Sequence, residues 1–219
     1  MIGIYGGTFD PIHLGHIHLL KELLKTDLFT KIILVPAKQN PLKPLPSQIS
    51  TPMRVKLIET ALEELGDSRI NLWEGELKRS GLSFMKDTLQ ELQEKYREEL
   101  GLILGNEVFA DLPKWREPKQ VLNLANIVVV QRTTSQINIL STLLQCGILD
   151  ANEEDSLIRY AENSRWVKTI KINALPFSST ELRETLAKAW KTGDLTQVPQ
   201  GIQRSVWLLI KENQLYAVS

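Results

Sequence analysis

Short runs of β-branched and aliphatic residues alternate along this chain with longer stretches in which apolar residues recur at helical spacing. This alternation is typical of a parallel sheet with helices on its faces, because its strands are buried on both sides and are joined by crossover helices. It predicts an α/β fold with a doubly wound parallel sheet. The predicted strands are Met1–Tyr5, Lys31–Val35, Ile70–Trp73, Leu102–Leu104, Asn126–Val130 and Val167–Ile172.

The stretches between these strands carry apolar stripes that predict helices packed against the sheet. At 219 residues the chain fits one ordinary globular domain. We therefore expect a single domain over 1–219, with a C-terminal helical part from about residue 177. Patterns over Asn138–Cys146 and Glu153–Asn163 predict two helices, which form an insertion before the last strand. The other predicted helices lie near Leu14–Leu24, Met53–Leu65, Met85–Leu92, Leu182–Lys191 and Gln203–Asn213.

Charge and cysteine content restrict the partners of the protein. Lys and Arg together number 26, as do Asp and Glu, so no overall basic field is available to hold a nucleic-acid backbone. The single cysteine, Cys146, lies in an apolar stretch and fits a reducing compartment. The sequence shows no signal-peptide core near its start and no apolar run of membrane-spanning length. We expect a cytoplasmic protein without nucleic-acid or membrane partners, and assembly into a homo-oligomer stays open.

Polar clusters follow three predicted strands, where ligands bind in sheets of this type. The cluster after the fourth strand is Gly105–Trp115, and the other two, after the first and the sixth strands, are the ones that favour anions. The first cluster is Gly6–His16, in which two glycines allow close approach of the backbone to a ligand. His13 and His16 stand three apart as a helix begins, and Gly15 leaves room between them. Backbone N–H groups and two imidazoles at a helix start favour an anion.

Two alternatives exist for this first cluster. It can be an ordinary strand-to-helix turn with surface histidines, or a metal site formed by His13, His16 and His18. The spacing disfavours the metal site, because His18 lies two positions past His16 and points to another side of the helix. The cluster also lacks the Gly-Lys-Ser/Thr ending of a Walker loop and the three-glycine spacing of a dinucleotide fingerprint.

The second cluster, Phe177–Arg183, begins another helix. Ser178 and Glu181 form a capping box, which by itself is only a helix start. The box leaves Ser179, Thr180 and the Arg183 side chain around the helix N-terminus, where they favour a second anion.

These two clusters resemble the T/HxGH and SSTxxR motifs of the nucleotidylyltransferase superfamily, in the same order. Between them the chain resembles the bacterial nicotinate-nucleotide adenylyltransferases over nearly its full length. It departs from their pattern at Met85, where the family has Thr, and at Asn106-Glu107, where it has Ala-Asp. The similar segments are Val35–Lys43, Arg54, Leu82–Leu89, Leu104–Trp115, Val128–Arg132 and Val206–Tyr216.

The resemblance implies a Rossmann-like fold of nucleotidylyltransferase type and transfer of an adenylyl group from ATP to nicotinate mononucleotide. Mg²⁺ is expected to arrive with ATP, and no metal ligands are assigned to the protein. Nicotinamide mononucleotide is the alternative acceptor, and a non-catalytic nucleotide-binding regulator is a further alternative.

The resemblance also assigns the site residues. Trp115 is by default a packing residue, and only the motif makes it a stacking surface for the pyridine ring. The catalytic residues implied are His13, His16, Lys43 and Arg183. Those implied for ATP binding are Gly6, Gly7, Thr8, Phe9, Asp10, Gly15, His16, Gly105, Ser178, Ser179, Thr180 and Arg183. Those implied for the acceptor are Phe84, Met85, Glu107, Trp115 and Arg132.

Overall fold

The computed structural model describes residues 1–38, 47–131, 138–154, 157–160 and 164–217. Strands in these ranges form one eight-stranded sheet. They are β1 (Ile2–Gly7), β2 (Lys31–Pro36), β3 (Ile70–Leu72), β4 (Leu100–Gly105), β5 (Asn126–Gln131), β6 (Ala151–Glu154), β7 (Leu157–Tyr160) and β8 (Arg165–Lys171).

The strand order is β3-β2-β1-β4-β5-β8-β7-β6. From β1 the chain first builds outwards through β2 and β3, and then crosses to the other side of β1 to place β4 and β5. All of these strands and β8 run parallel, which confirms the α/β, doubly wound, Rossmann-like fold. The order therefore reverses between β1 and β4, where a ligand crevice is expected.

The six predicted strands are all present, with ends that differ by at most two residues. Their cores are fully buried, as in Ile32–Val35 and Ile127–Val129. Burial on both faces makes such strands continuous aliphatic runs, which is why the sequence pattern located them. The helices are α1 (Leu14–Leu24), α2 (Thr51–Leu65), α3 (Gly75–Lys78), α4 (Met85–Tyr96), α5 (Asn106–Ala110), α6 (Pro118–Leu124), α7 (Ile139–Gln145), α8 (Ser179–Thr192) and α9 (Arg204–Glu212).

The insertion before β8 differs from the prediction in its second half. The first predicted helix is present as α7, but the prediction of a helix over Glu153–Asn163 is wrong. The described residues of that range belong to β6 and β7, which pair antiparallel and extend the sheet from β8. Ile158 and Tyr160 are buried while Arg159 between them is exposed, and this two-residue period belongs to a strand.

Two apolar cores lie on the two faces of the sheet. One contains buried residues of α1, α2, α8 and α9, and the other contains buried residues of α4, α6 and α7 with those of the opposite strand faces. Within the ranges that the structure describes, none of the helices has both the length and the apolar character that crossing a bilayer needs.

Candidate active site

The crevice opens at the carboxyl end of β1. Pairing between β1 and β2 continues to Gly7 opposite Pro36, whereas the pairing between β1 and β4 runs only from Ile2–Leu100 to Ile4–Leu102. The last residues of β1 and β4 therefore part from each other. The predicted ligand residues Gly6, Gly7 and Gly105 lie at this edge.

The loop that follows β1 is held by packing and by buried hydrogen bonds. The Phe9 ring is 2% exposed and contacts the rings of Tyr5 and His16 at centroid distances of 5.6 Å and 5.1 Å. Asp10 is 3% exposed. Because the side chains of Phe9 and Asp10 are enclosed, these residues can serve the predicted ATP site only through the backbone and the shape of the loop. The Thr8 carbonyl accepts a hydrogen bond from the Arg54 guanidinium at 2.9 Å.

The two motif histidines, His13 and His16, lie at the start of α1, and the ring of each accepts a hydrogen bond from a nearby backbone N–H. His13 is the N-cap residue, and its Nδ1 accepts from the Gly15 N–H at 3.1 Å. The Nδ1 of His16 accepts from the His13 N–H at 3.2 Å. The two rings stack with centroids 3.7 Å apart. Since Nδ1 is the acceptor in both rings, each ring carries its proton on Nε2, the nitrogen that can donate to a ligand.

His16 is a neutral donor in this arrangement. Burial, with a smaller contribution from the nearby His13, holds the pKa of His16 well below its usual range. Neutral imidazole N–H groups can stabilise phosphate oxygens by hydrogen bonding without adding a charge to the site. His18, by contrast, bonds the Asn173 carbonyl at 2.8 Å on another side of the helix.

The second motif lies directly against the first, although 160 or more residues separate them. Ser178 caps α8 by accepting from the Glu181 N–H at 3.2 Å, which is the first bond of the predicted capping box, whereas the Glu181 carboxylate accepts from the Ser178 hydroxyl at 2.8 Å and not from the Ser178 N–H. The Ser179 hydroxyl donates to the Pro11 carbonyl at 3.0 Å. The Arg183 guanidinium donates to the Asp10 carbonyl at 2.7 Å and to the Thr180 hydroxyl at 3.2 Å. The starts of α1 and α8 therefore meet at one place.

The predicted acceptor segment reaches the same crevice. A Cβ on Gly6 would lie 3.1 Å from the Met85 methyl group, so Met85 packs against the end of β1. Met85 begins α4 after Phe84, and no side chain caps this terminus in the described chain. The Ser83 hydroxyl bonds the Glu76 carbonyl instead. The start of α4 therefore lies beside the end of β1 without a side-chain cap in the described residues.

Trp115 and its neighbours close this side of the crevice. Trp115 is half-buried and packs against the core. Arg116 lies over the Phe84 ring, with its Cζ 4.7 Å from the ring centroid. An ion pair between Lys86 and Glu117 joins α4 to the segment after Trp115. Glu107 is exposed on α5 just beyond β4, whereas Lys43 and Arg132 lie outside the described residues.

Three further residues hold the loop after β1 and were not assigned to the site from sequence. Tyr216 and the Gln48 N–H both bond the Asp10 carboxylate. Arg54 is buried and donates to the carbonyls of Thr8 and Ala37. Burial lowers the pKa of Arg54, and the neighbouring Asp10 carboxylate opposes that shift. Arg54 and Tyr216 stand in segments that resemble the adenylyltransferases, and this was the one sequence signal for them.

Comparison with known proteins identifies relatives along nearly the whole chain. Residues 4–185 match the family described as cytidylyltransferase-like. A protein of Geotalea uraniireducens named "probable nicotinate-nucleotide adenylyltransferase" is 33% identical over 98% of this chain and 97% of its own length. A protein of the same name from Methylococcus capsulatus is 33% identical over 85% of this chain and 88% of its own.

Solved structures share the fold. The Plasmodium falciparum nicotinic acid mononucleotide adenylyltransferase, solved in complex with NaAD, superposes with a TM-score of 0.71 at 21% identity, and covers 98% of this chain and 96% of its own. A Vibrio parahaemolyticus structure described as a nicotinate-nucleotide adenylyltransferase has a TM-score of 0.61 at 17% identity and covers 100% of this chain. At these identities the likeness bears on the fold alone.

Proposed function

The chain belongs to the nicotinate-nucleotide adenylyltransferases within the cytidylyltransferase-like family, and we propose that the crevice between β1 and β4 is where it performs their reaction. The enzyme transfers the adenylyl group of ATP to nicotinate mononucleotide, a step of NAD biosynthesis. The observation that carries the site assignment is the bond between Arg183 and the Asp10 carbonyl, because it brings both anion-binding motifs to one crevice.

The chemistry needs no activated side chain. A phosphate monoester has a second pKa of about 6, so the acceptor oxygen is already largely ionised at neutral pH. That oxygen forms a bond to the α-phosphorus of ATP as the bond from phosphorus to the bridging β-phosphate oxygen breaks. The electron pair leaves with pyrophosphate, and deamido-NAD is the other product. The protein contributes positioning and charge stabilisation.

The histidines suit the phosphates that react. We assign the Nε2–H of His16 to the α-phosphate in the transition state, and His13 to the neighbouring phosphates. Both donors are fixed in advance, because backbone N–H groups hold the two rings at Nδ1. Donors that need no reorientation during the reaction lower its barrier most effectively.

The start of α8 suits the departing pyrophosphate. Arg183 supplies a cation there and Thr180 a hydroxyl. Ser179 contributes through its backbone N–H, since its hydroxyl is already engaged with the Pro11 carbonyl. A helix N-terminus with an arginine beside it stabilises a leaving polyphosphate. Lys43 is proposed for the same group from the family resemblance.

The divalent cation is proposed to be Mg²⁺ that enters as the ATP complex. Asp10 is the acidic residue of the first motif, but Tyr216 and Gln48 occupy its two carboxylate oxygens. This residue is therefore unsuited to ligate a metal. Oxygens of the substrate and water are common Mg²⁺ ligands.

The acceptor is proposed to bind between the start of α4 and Trp115, with its pyridine ring on the indole. The uncapped N–H groups at Met85 and Lys86 favour a carboxylate. A carboxamide would place its own N–H donors against them, at a cost of about 1–3 kcal/mol. Nicotinate mononucleotide should then exceed its amide counterpart in kcat/KM by roughly 5- to 150-fold, towards the lower end because Met85 lacks the hydroxyl of the family's Thr.

Pyrophosphate release measured with saturating MgATP and each mononucleotide tests this function. Equal values or an amide preference would overturn the acceptor assignment and leave adenylyl transfer standing. Release with neither acceptor, combined with a rise in melting temperature on adding ATP, would instead identify a nucleotide-binding regulator.

A further inference from the structure

A buried hydrogen bond ties the end of the described chain to the first phosphate-binding loop. The Tyr216 hydroxyl donates to Asp10 Oδ1 at 2.6 Å, across 206 residues of sequence. Tyr216 is 7% exposed and Asp10 is 3% exposed. The Gln48 N–H donates to the other carboxylate oxygen at 3.0 Å. The carboxylate is therefore fixed from two sides by segments that are remote in sequence.

The Tyr216 hydroxyl is kept protonated by its surroundings. Burial, and then the Asp10 charge, raise the pKa of Tyr216 far above its usual value, so the hydroxyl keeps its proton and acts as the donor. The buried Arg54 guanidinium supplies the positive charge that accompanies the carboxylate. Arg54 Nη1 donates to the carbonyls of Thr8, which follows β1, and Ala37, which follows β2.

The same short segment reaches the catalytic residues through two backbone contacts. The Asp10 carbonyl accepts from Arg183, and the next carbonyl, that of Pro11, accepts from Ser179. A change in the backbone at Asp10 would therefore move the carbonyl that accepts the hydrogen bond from the Arg183 guanidinium.

The tyrosine is itself held against α8. The Leu215 carbonyl accepts from the Trp190 indole N–H at 2.8 Å. Trp190 lies near the end of α8 and Arg183 near its start, so the segment around Tyr216 and the loop around Asp10 hold the helix at two points. The Tyr216–Asp10 bond joins these two points directly.

We propose that Tyr216 is a positioning residue for ATP, which acts by fixing Asp10 and thereby the loop and Arg183. This inference rests on the proposed function, because it concerns the same adenylyl-transfer site. The alternative is that the bond only stabilises the fold. The two can be separated because a purely stabilising contact changes the amount of folded enzyme and leaves the KM of the folded molecules unchanged.

The test compares Tyr216→Phe with Tyr160→Phe, both assayed below their melting transitions. Tyr160, in strand β7 of the insertion hairpin, is a matched control. It is 1% exposed, and its hydroxyl donates to the Leu122 carbonyl of α6 at 2.8 Å. For Tyr216→Phe we expect kcat/KM for MgATP to fall roughly 10- to 100-fold, the scale of a misplaced catalytic group. Part of this loss should be a several-fold rise in the KM for ATP, while the KM for the acceptor stays within about two-fold of the parent. Tyr160→Phe should leave both KM values unchanged.

A double variant identifies the partner through which the hydroxyl acts. In an Asp10→Ala background, Tyr216→Phe should cause no further loss in kcat/KM, because the hydroxyl then has no carboxylate to fix. An unchanged KM for ATP in Tyr216→Phe, the same rise in Tyr160→Phe, or losses that multiply in the double variant would overturn the proposal. If Asp10→Ala does not fold, the two tyrosine variants still decide. Failure of the proposed function itself would be seen separately, as absence of pyrophosphate release by the parent enzyme.

Discussion

Adding one methyl group at Gly15 should separate activity from stability. Gly15 is the second residue of α1 and lies between the two motif histidines. An ideal Cβ there would stand 2.9 Å from both Cε1 and Nδ1 of His13. Carbon atoms in favourable contact are about 3.5–4.0 Å apart, so the His13 ring must shift by roughly 0.6 Å or more.

This shift should damage catalysis because the ring has little space in which to move. His13 is 6% exposed and stacks on His16, and its Nδ1 holds the Gly15 N–H. Displacement weakens that bond and moves the Nε2 donor away from its phosphate. We expect kcat of Gly15→Ala to fall roughly 10- to 100-fold, since misplacing a catalytic group by about 1 Å costs about 100-fold.

The fold should tolerate the same change. Alanine is favoured over glycine in helices by up to about 1 kcal/mol, which offsets the weakened cap bond between His13 and the residue 15 N–H, so the melting temperature should change little. Steady-state pyrophosphate release and thermal melting followed by circular dichroism measure the two effects. In a His13→Ala background the added methyl meets no ring, and Gly15→Ala should change kcat by less than about two-fold. A Gly15→Ala enzyme with the kcat of the parent would contradict the proposed displacement of the His13 ring. A large drop in melting temperature would show that the added methyl group crowds more than this ring.

Three further outcomes are expected. His16→Ala should lower kcat roughly 100-fold or more while the Kd for ATP measured by calorimetry changes little, since the contact is made chiefly in the transition state; a kcat within a few-fold of the parent would remove His16 from its role. EDTA should abolish pyrophosphate release without lowering the melting temperature of the nucleotide-free protein, because we propose that the metal enters with the substrate; a large decrease in melting temperature would indicate a structural metal. The lowered pKa of His16 means that the unfolded chain binds a proton below about pH 6.5 while the folded chain does not, so the free energy of unfolding should fall as the pH drops below that value. Denaturant titrations of the parent and His16→Gln should diverge in this range, and parallel curves would contradict the shift.

The parts of the fold that the sequence predicted are those governed by local periodicity. Strands such as Lys31–Pro36 are buried on both faces, so their aliphatic runs identify them without tertiary information. The Ser178 cap of α8 is equally local, since its hydroxyl and the Glu181 N–H lie within four residues of each other. The hairpin of β6 and β7 was missed because charged residues there resemble the exposed face of a helix, and its partner β8 lies later in the chain.

The parts of the site that escaped prediction depend on contacts between distant segments. The sequence placed Asp10 among the ATP ligands, but its carboxylate is enclosed by residues 38 and 206 positions away. Arg54 was noted only as part of the family resemblance, whereas its guanidinium is buried on two carbonyl groups of separate loops. Neither arrangement has a spacing that a pattern in the sequence can reveal.

The protonation of the histidines limits the electrostatic repulsion among the groups at the starts of α1 and α8. Two protonated rings 3.7 Å apart would repel each other by about 4 kcal/mol at an effective dielectric constant of about 20. The backbone N–H groups prevent this by occupying Nδ1 of both rings, so that the rings present hydrogen-bond donors in place of charges. The buried positive charge of Arg54 lies near the negative charge of Asp10, and the Arg183 guanidinium donates to the Asp10 carbonyl. Repulsion is thus kept low before ATP binds, and the donors are already oriented when its phosphates arrive.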